Sequence, residues 1–147
     1  MILRALLLLS IMFAFPAKAA EPLYFHKGAK DIRENQIIGE LAAQKHILPD
    51  LSFEIAPFDL NSDGVVEWVV RQNPTPVCAA ESDCRFVVAG LRDKKPAVLG
   101  MFNAGKVGIS SEKQYGVRKL LVYNKKNDDF AYSEYVWDPH KGRFTAE

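Results

Sequence analysis

The segment 59–67 contains the side chains whose types and spacing point most directly to chemistry. It reads DLNSDGVVE, so three oxygen-bearing side chains alternate with other residues, a glycine permits a sharp bend, and a glutamate closes the run. Calcium is a hard cation that takes about six to eight oxygen ligands from carboxylates, amides and backbone carbonyls. The spacing predicts a calcium loop whose ligands are the side chains of Asp59, Asn61, Asp63 and Glu67 and the backbone carbonyl of Val65.

The sequence around this loop differs from that of an EF-hand. An EF-hand has a bidentate glutamate at the last loop position, where this chain has Val70, and its flanks are helices, whereas both flanks here alternate like strands. With the form D-x-N-x-D-G-x-x-E followed by Trp68-Val69-Val70, the segment resembles the calcium loops of the integrin-α/FG-GAP repeat family, which sit in β-hairpins. The resemblance implies a calcium-bearing hairpin. It covers a single loop and does not imply a propeller, because the sequence contains no further copies.

The same residues also have a purely structural interpretation. Asn-Ser-Asp-Gly at 61–64 is favourable turn chemistry, because short polar side chains and glycine suit tight bends. An Asp-Gly pair between two apolar runs predicts a β-hairpin with or without an ion. The sequence leaves both interpretations open.

The N-terminal 19 residues have the layout of a cleaved secretory signal peptide. A short start with Arg4 precedes an apolar run over 5–15, and Ala17-Lys18-Ala19 is a small-x-small cleavage site. A membrane-spanning helix needs roughly 20 apolar residues, which is more than this run provides. The sequence therefore predicts a signal peptide at 1–19, a single exported domain at 20–147, no membrane span after cleavage, and a periplasmic or secreted location.

Two cysteines are consistent with export. Cys78 and Cys84 are the two cysteines of the chain. A closely spaced pair in an oxidising compartment predicts a disulfide. Their spacing differs from that of thioredoxin-like redox motifs and of zinc sites. The bond would fix one loop and would not link distant parts of the fold.

The charge balance narrows the choice of partner. The chain has 19 Lys and Arg against 18 Asp and Glu, so it lacks the strongly basic composition that nucleic acids and anionic membranes attract. We therefore expect no nucleic-acid partner. The partner that we expect is an envelope protein or a glycan.

The elements that must position these residues are one helix and a series of strands. Asp31 can cap a helix over 31–46, with Glu34 three residues later as in a capping box. From Ser52 the apolar pattern has period two, and short turns between the runs require antiparallel neighbours. We predict an α+β fold, with one N-terminal helix packed on a curved antiparallel β-meander of about six strands. Its expected core residues are Trp68, Phe86, Val88, Leu99, Leu121, Tyr123, Val136 and Trp137.

Two hypotheses about function follow. The first is a non-catalytic exported module, binding or structural, with a calcium-stabilised hairpin; the chain would then not be an enzyme. The three histidines lie far apart in the sequence and none has zinc-motif spacing, which agrees with this hypothesis. The alternative is a small secreted hydrolase that uses carboxylates near the calcium loop, such as Glu54 and Glu67, which paired strands could bring together.

Overall fold

Most of the described residues belong to antiparallel β-strands. The structure is a computed structural model that describes residues 20–48, 50–72, 78 and 83–147. Residues 1–19, for which the sequence predicts a signal peptide, lie outside the described residues. Within the described ranges the chain forms one α-helix and ten strands.

The elements follow one another in a simple order. Two short strands precede the helix and eight strands follow it. Their bounds are β1 (Ala20–Pro22), β2 (His26–Lys27), α1 (Ile32–Ala43), β3 (Phe53–Phe58), β4 (Glu67–Gln72), β5 (Cys84–Arg92), β6 (Lys95–Ala104), β7 (Lys106–Gln114), β8 (Val117–Tyr123), β9 (Tyr132–Asp138) and β10 (Arg143–Ala146).

The described strands form two five-stranded antiparallel sheets. The first sheet has the order β1-β7-β8-β9-β10, and the second has the order β2-β3-β4-β5-β6. The chain passes from the second sheet to the first at Gly105, between β6 and β7. A Cβ atom on Gly105 would lie 2.5 Å from the backbone of Lys125 and Lys126. Only glycine therefore allows the loop after β8 to pack so closely against this crossing point.

The inner faces of the two sheets pack against each other. Each strand alternates its side chains between two faces, so each sheet can contribute a full apolar face. Phe86 and Phe102 stack there with ring centroids 6.4 Å apart. The buried residues shared by the two faces include Val69, Phe86, Val88 and Phe102 of the second sheet and Ile109, Leu120, Val122 and Phe144 of the first.

Helix α1 covers the outer face of the second sheet. Asp31 caps it as the sequence predicted, since its carboxylate accepts a hydrogen bond of 2.8 Å from the backbone N–H of Glu34. Ile37 and Leu41, four residues apart on one helix face, are almost fully buried. This second core joins them to Ile47, Ile55, Trp68, Val70, Val87 and Ala89.

This architecture corrects the predicted fold. We expected an α+β fold with one helix on a single meander of about six strands, and the described residues instead form a mainly β sandwich of two sheets. Alternating apolar residues identify strands, but they do not show that the chain leaves one sheet for the other at Gly105. The short strands β1 and β2 are also too brief to have a recognisable period.

The predicted disulfide between Cys78 and Cys84 is present. Both cysteines are fully buried and pack in the core between the two sheets. Cys84 is the first residue of β5, so the bond joins Cys78 to the start of that strand. Among the described residues, no helix has both the length and the apolar character required to cross a bilayer.

Candidate functional site

The predicted calcium ligands lie in a connection between two strands of the second sheet. We call residues 59–67 the acidic loop. Strand β3 ends at Phe58, β4 begins at Glu67, and these two residues are paired in the antiparallel register. The hairpin that the sequence predicts here is therefore confirmed.

Hydrogen bonds to the backbone hold the two aspartates across the acidic loop. The carboxylate of Asp59 accepts from the backbone N–H of Asp63 at 3.2 Å and from that of Gly64 at 2.9 Å. Asp63 in turn accepts from the N–H of Val65 at 2.7 Å. Ser62 and Gly64 both have positive φ angles, 62° and 84°, so the bend requires a left-handed backbone at two positions. The result is a tight, acid-lined turn.

Asn61 faces Asp63 with its amide nitrogen. Its Nδ2 donates to Oδ2 of Asp63 at 2.9 Å, and its Oδ1 accepts from the backbone N–H of Asp63 at 3.1 Å. A calcium ion would need the amide oxygen. In this orientation the amide nitrogen of Asn61 is the neighbour of the Asp63 carboxylate, so an ion bound at that carboxylate would take the place of the amide.

Glu67 lies at the base of the acidic loop beside an apolar cavity. Its Oε2 accepts from the backbone N–H of Leu60 at 2.8 Å. Burial raises the pKa of Glu67, and the negative charges of Asp63 and Asp59 raise it further. The cavity has a volume of about 140 Å³, and its apolar lining consists of Leu60, Leu99, Val117, Trp137 and Phe144.

The pKa of Asp59 is shifted in the opposite direction, below its ordinary value. The hydrogen bond from the Gly64 N–H is the largest of the effects that lower the pKa of Asp59. The loop thus combines one carboxylate that is stabilised as an anion with another, Glu67, that its surroundings discourage from ionising. Among the described residues, no Lys or Arg forms an ion pair with Asp59, Asp63 or Glu67.

The predicted ligand atoms of the acidic loop suit calcium, because each of them is a hard oxygen. They do not form a closed cage of charged groups. Within the described ranges, no three His, Cys, Asp or Glu side chains converge closely enough to hold a metal ion. A calcium site here would therefore depend on the Asn61 amide and the Val65 carbonyl as well as on the carboxylates.

Glu54 and Glu67 are not brought together. Glu54 pairs in register with Arg71, and Glu67 pairs with Phe58, so the two glutamates lie four register positions apart. At about 3.3 Å per residue this separates their backbones by about 13 Å, which exceeds the spacing of the carboxylate pairs in glycosidases. Arg71 also donates to Glu54 through Nε at 2.8 Å.

A second concave feature lies at the other end of the sandwich and was not predicted. We call it the aromatic cleft; its volume is about 550 Å³, and Phe25, Phe86, Tyr123, Phe130, Arg71 and Lys106 contribute to its walls. Strand β4 runs from the acidic loop to Arg71. Strand β7 runs from Lys106 back towards Lys113, whose Nζ donates to Ser62 of the acidic loop at 2.9 Å. Arg71 and Lys106 of the aromatic cleft therefore lie at the ends of β4 and β7 that are away from the acidic loop.

Comparison with known proteins assigns no family to the chain. No protein-family model, curated protein or solved structure matches it. The resemblance to the integrin-α/FG-GAP loops therefore rests on the residues of the acidic loop alone.

Proposed function

We propose that this chain is a non-catalytic exported module, periplasmic or secreted, whose acidic loop is stiffened by calcium. Its partner would be a component of the cell envelope, a protein or a glycan. The observation that carries the proposal is that one hairpin loop contains Asp59, Asp63 and Glu67, and that no Lys or Arg among the described residues forms an ion pair with them. Burial raises the pKa of Glu67 most, and the charges of Asp63 and Asp59 raise it further. A divalent cation would relieve this repulsion.

The buried disulfide supports the exported location. Disulfides persist in oxidising compartments and are rare in the cytosol, and the bond between Cys78 and Cys84 is part of the core between the sheets. An exported protein also meets calcium at concentrations that suit a weak site. Extracellular calcium modules bind the ion with dissociation constants of roughly 10⁻⁴ to 10⁻³ M.

Thermal unfolding with and without calcium tests the proposal. At about ten times the dissociation constant, the ion should stabilise the fold by about 1.4 kcal/mol, which is a rise in Tm of about 3–6 °C. Asp63→Asn should abolish most of this rise, because it removes a charged ligand while the new amide oxygen can still accept from the Val65 N–H. The matched control is Asp93→Asn in the β5–β6 turn, which should leave the rise unchanged. An equal rise in both variants would contradict the proposal.

A second candidate function is the small secreted hydrolase. The observation in its favour is Glu67, a carboxylate with a raised pKa beside an apolar cavity that includes Trp137. Such a group can stay protonated and act as a general acid.

Glu67→Gln separates the two functions. In a hydrolase, the substitution should abolish turnover of peptidoglycan or chromogenic glycosides while the fold is retained. In a binding module, the wild-type protein should show no turnover, and the substitution should reduce only the calcium-dependent rise in Tm. Turnover by the wild type that is lost in Glu67→Gln would replace the first proposal by the second.

A further inference from the structure

We infer that the aromatic cleft is a binding site for a single amphipathic anion, a molecule with an apolar chain or ring that ends in a carboxylate or phosphate. The inference concerns residues at the end of the sandwich away from the acidic loop and does not depend on calcium. At about 550 Å³, the cleft lies within the range of roughly 300–1,000 Å³ that is usual for small-molecule sites.

The floor and walls of the aromatic cleft suit an apolar group. Phe86 is fully buried, Val107 and Tyr123 are nearly so, and Phe25 packs edge-on against Phe86 with centroids 6.3 Å apart. At the mouth, Phe130 is 94% exposed. A large aromatic side chain that projects from the rim of a cleft can close over a ligand at little cost, because it has no packing in the fold to lose.

Two cations lie at the boundary between the apolar wall and solvent. The guanidinium of Arg71 is 4.7 Å from the centroid of the Phe25 ring, and the ammonium of Lys106 is 4.6 Å from that of Tyr123. These cation–π contacts place both charges beside the aromatic wall. An anionic head group could therefore reach them while its apolar part remains between the rings.

Both cations retain donors for a ligand. Arg71 donates through Nε and Nη2 to a single oxygen of Glu54, and a guanidinium has five N–H donors. Lys106 pairs with Asp129, whose side chain is 73% exposed, and such surface pairs contribute little stability. An incoming carboxylate or phosphate can thus bind Arg71 and displace Asp129 from Lys106.

The lining favours this ligand over a neutral sugar. Among the described residues that line the aromatic cleft, Tyr123 has the one uncharged polar side-chain group, and there is no Ser, Thr, Asn, Gln or His side chain. The acids of the cleft, Glu21 and Asp129, are at its exposed rim, and Glu21 is neutralised by Arg118. Arg71 and Lys106 are paired with Glu54 and Asp129, so an anionic ligand would bind through the remaining guanidinium N–H groups of Arg71 and by exchange with Asp129 at Lys106.

Calorimetric titration tests the inference with three probes that share one chain length. The protein is purified after expression of the full chain with its own leader, and it is titrated with decanoate, decan-1-ol and decyltrimethylammonium below micelle-forming concentrations. Decanoate should bind about tenfold more tightly than decan-1-ol, the factor that corresponds to one charge-assisted hydrogen bond. The cationic probe should bind most weakly.

Variants with matched controls identify the site. Lys106→Gln should lower the affinity for decanoate about tenfold and leave that for decan-1-ol unchanged, and Lys95→Gln at the start of β6 should change neither. Phe130→Ala should weaken both probes, whereas Tyr115→Ala, which removes an exposed aromatic at the β7–β8 turn, should weaken neither. Phe130 is exposed and the side chain of Lys106 is about a third exposed, so neither variant removes a buried core residue.

Three results would overturn the inference: no measurable binding of decanoate, equal affinity for all three probes, or binding only to phosphatidylglycerol vesicles. The calcium proposal is tested separately, because decanoate binding should be the same in the presence of a chelator. Loss of the calcium effect with retained decanoate binding would reject the first proposal and leave this one standing.

Discussion

Glu67 and Asp59 of the acidic loop differ in the hydrogen bonds and the burial of their carboxylates. The backbone N–H groups of Asp63 and Gly64 stabilise the Asp59 anion, whereas Glu67 receives one such bond and lies against apolar side chains. Desolvation therefore exceeds hydrogen bonding at Glu67 and raises its pKa. This difference between neighbouring carboxylates makes the stability of the loop depend on pH.

We predict that Glu67 stabilises the fold in acid and loses this contribution as pH rises. Its folded-state pKa is above the ordinary value of 4.5, so the stability is fully present below that pH and is lost as pH rises through the folded pKa. In chelator, wild-type protein should therefore lose stability relative to Glu67→Gln between acidic and neutral pH. Urea unfolding at a series of pH values measures the difference.

Asp138 is the control for this pH dependence, because its pKa is shifted in the opposite direction. Hydrogen bonds from the backbone N–H groups of Lys141 and His140 lower the pKa of Asp138 below 3.8. Its contribution is present above that value and is lost as pH falls through the folded pKa. Asp138→Asn should therefore differ from wild type above pH 4 and converge with it only in strong acid. The interpretation of Glu67 would be wrong if Glu67→Gln behaved in the same way.

At the scale of elements, the crossing between the two sheets depends on Gly105. Its N–H donates to the carbonyl of Tyr123 at 2.8 Å, and a Cβ there would collide with the backbone of the loop that follows β8. Backbone atoms cannot move aside as the end of a flexible side chain can. The position therefore fixes how β7 begins beside β8.

Gly105→Ala should destabilise the fold by about 1–3 kcal/mol, the usual cost of overpacking. The matched control is Gly39→Ala on α1, where a Cβ would meet no atom within 4 Å. That substitution should stabilise the fold by about 0.5–1 kcal/mol, because alanine is the better helix former. The midpoints of urea unfolding measure both effects. A neutral Gly105→Ala would show that the crossing tolerates a wider path.

The sequence predicted individual elements better than their assembly. The helix starts directly after its predicted cap, Asp31, and ends three residues earlier than expected, at Ala43. The hairpin around the acidic loop was also recognised. These elements depend on local patterns, namely a cap, a period of two, and an Asp-Gly turn, that a single chain displays directly.

The division into two sheets could not be predicted in the same way. The partner of a strand depends on contacts between distant segments, such as the pairing of β1 with Gly108–Ser110 of β7. The aromatic cleft has the same origin, since its residues come from segments as separate as Phe25 and Phe130. No periodicity connects such positions. By contrast, six of the eight predicted core residues are buried, because apolar strand residues must face some core.

At the scale of the whole molecule, the sandwich separates two features with different chemistry. The acidic loop joins β3 to β4 at one end, and the aromatic cleft lies at the other, where Arg71 and Lys106 are found. Buried residues of both sheets form the core of the sandwich. Calcium bound at the acidic loop would therefore strengthen the fold without contact with Arg71 or Lys106 of the aromatic cleft.

The measurement that tests the account most directly is calorimetric titration of the purified protein with calcium. We expect heat that fits a single weak site, with a dissociation constant of roughly 10⁻⁴ to 10⁻³ M, and that disappears in Asp63→Asn but not in Asp93→Asn. No heat in the wild type at about ten times that concentration, together with an unchanged Tm, would contradict the account and leave the acidic loop as a polar turn.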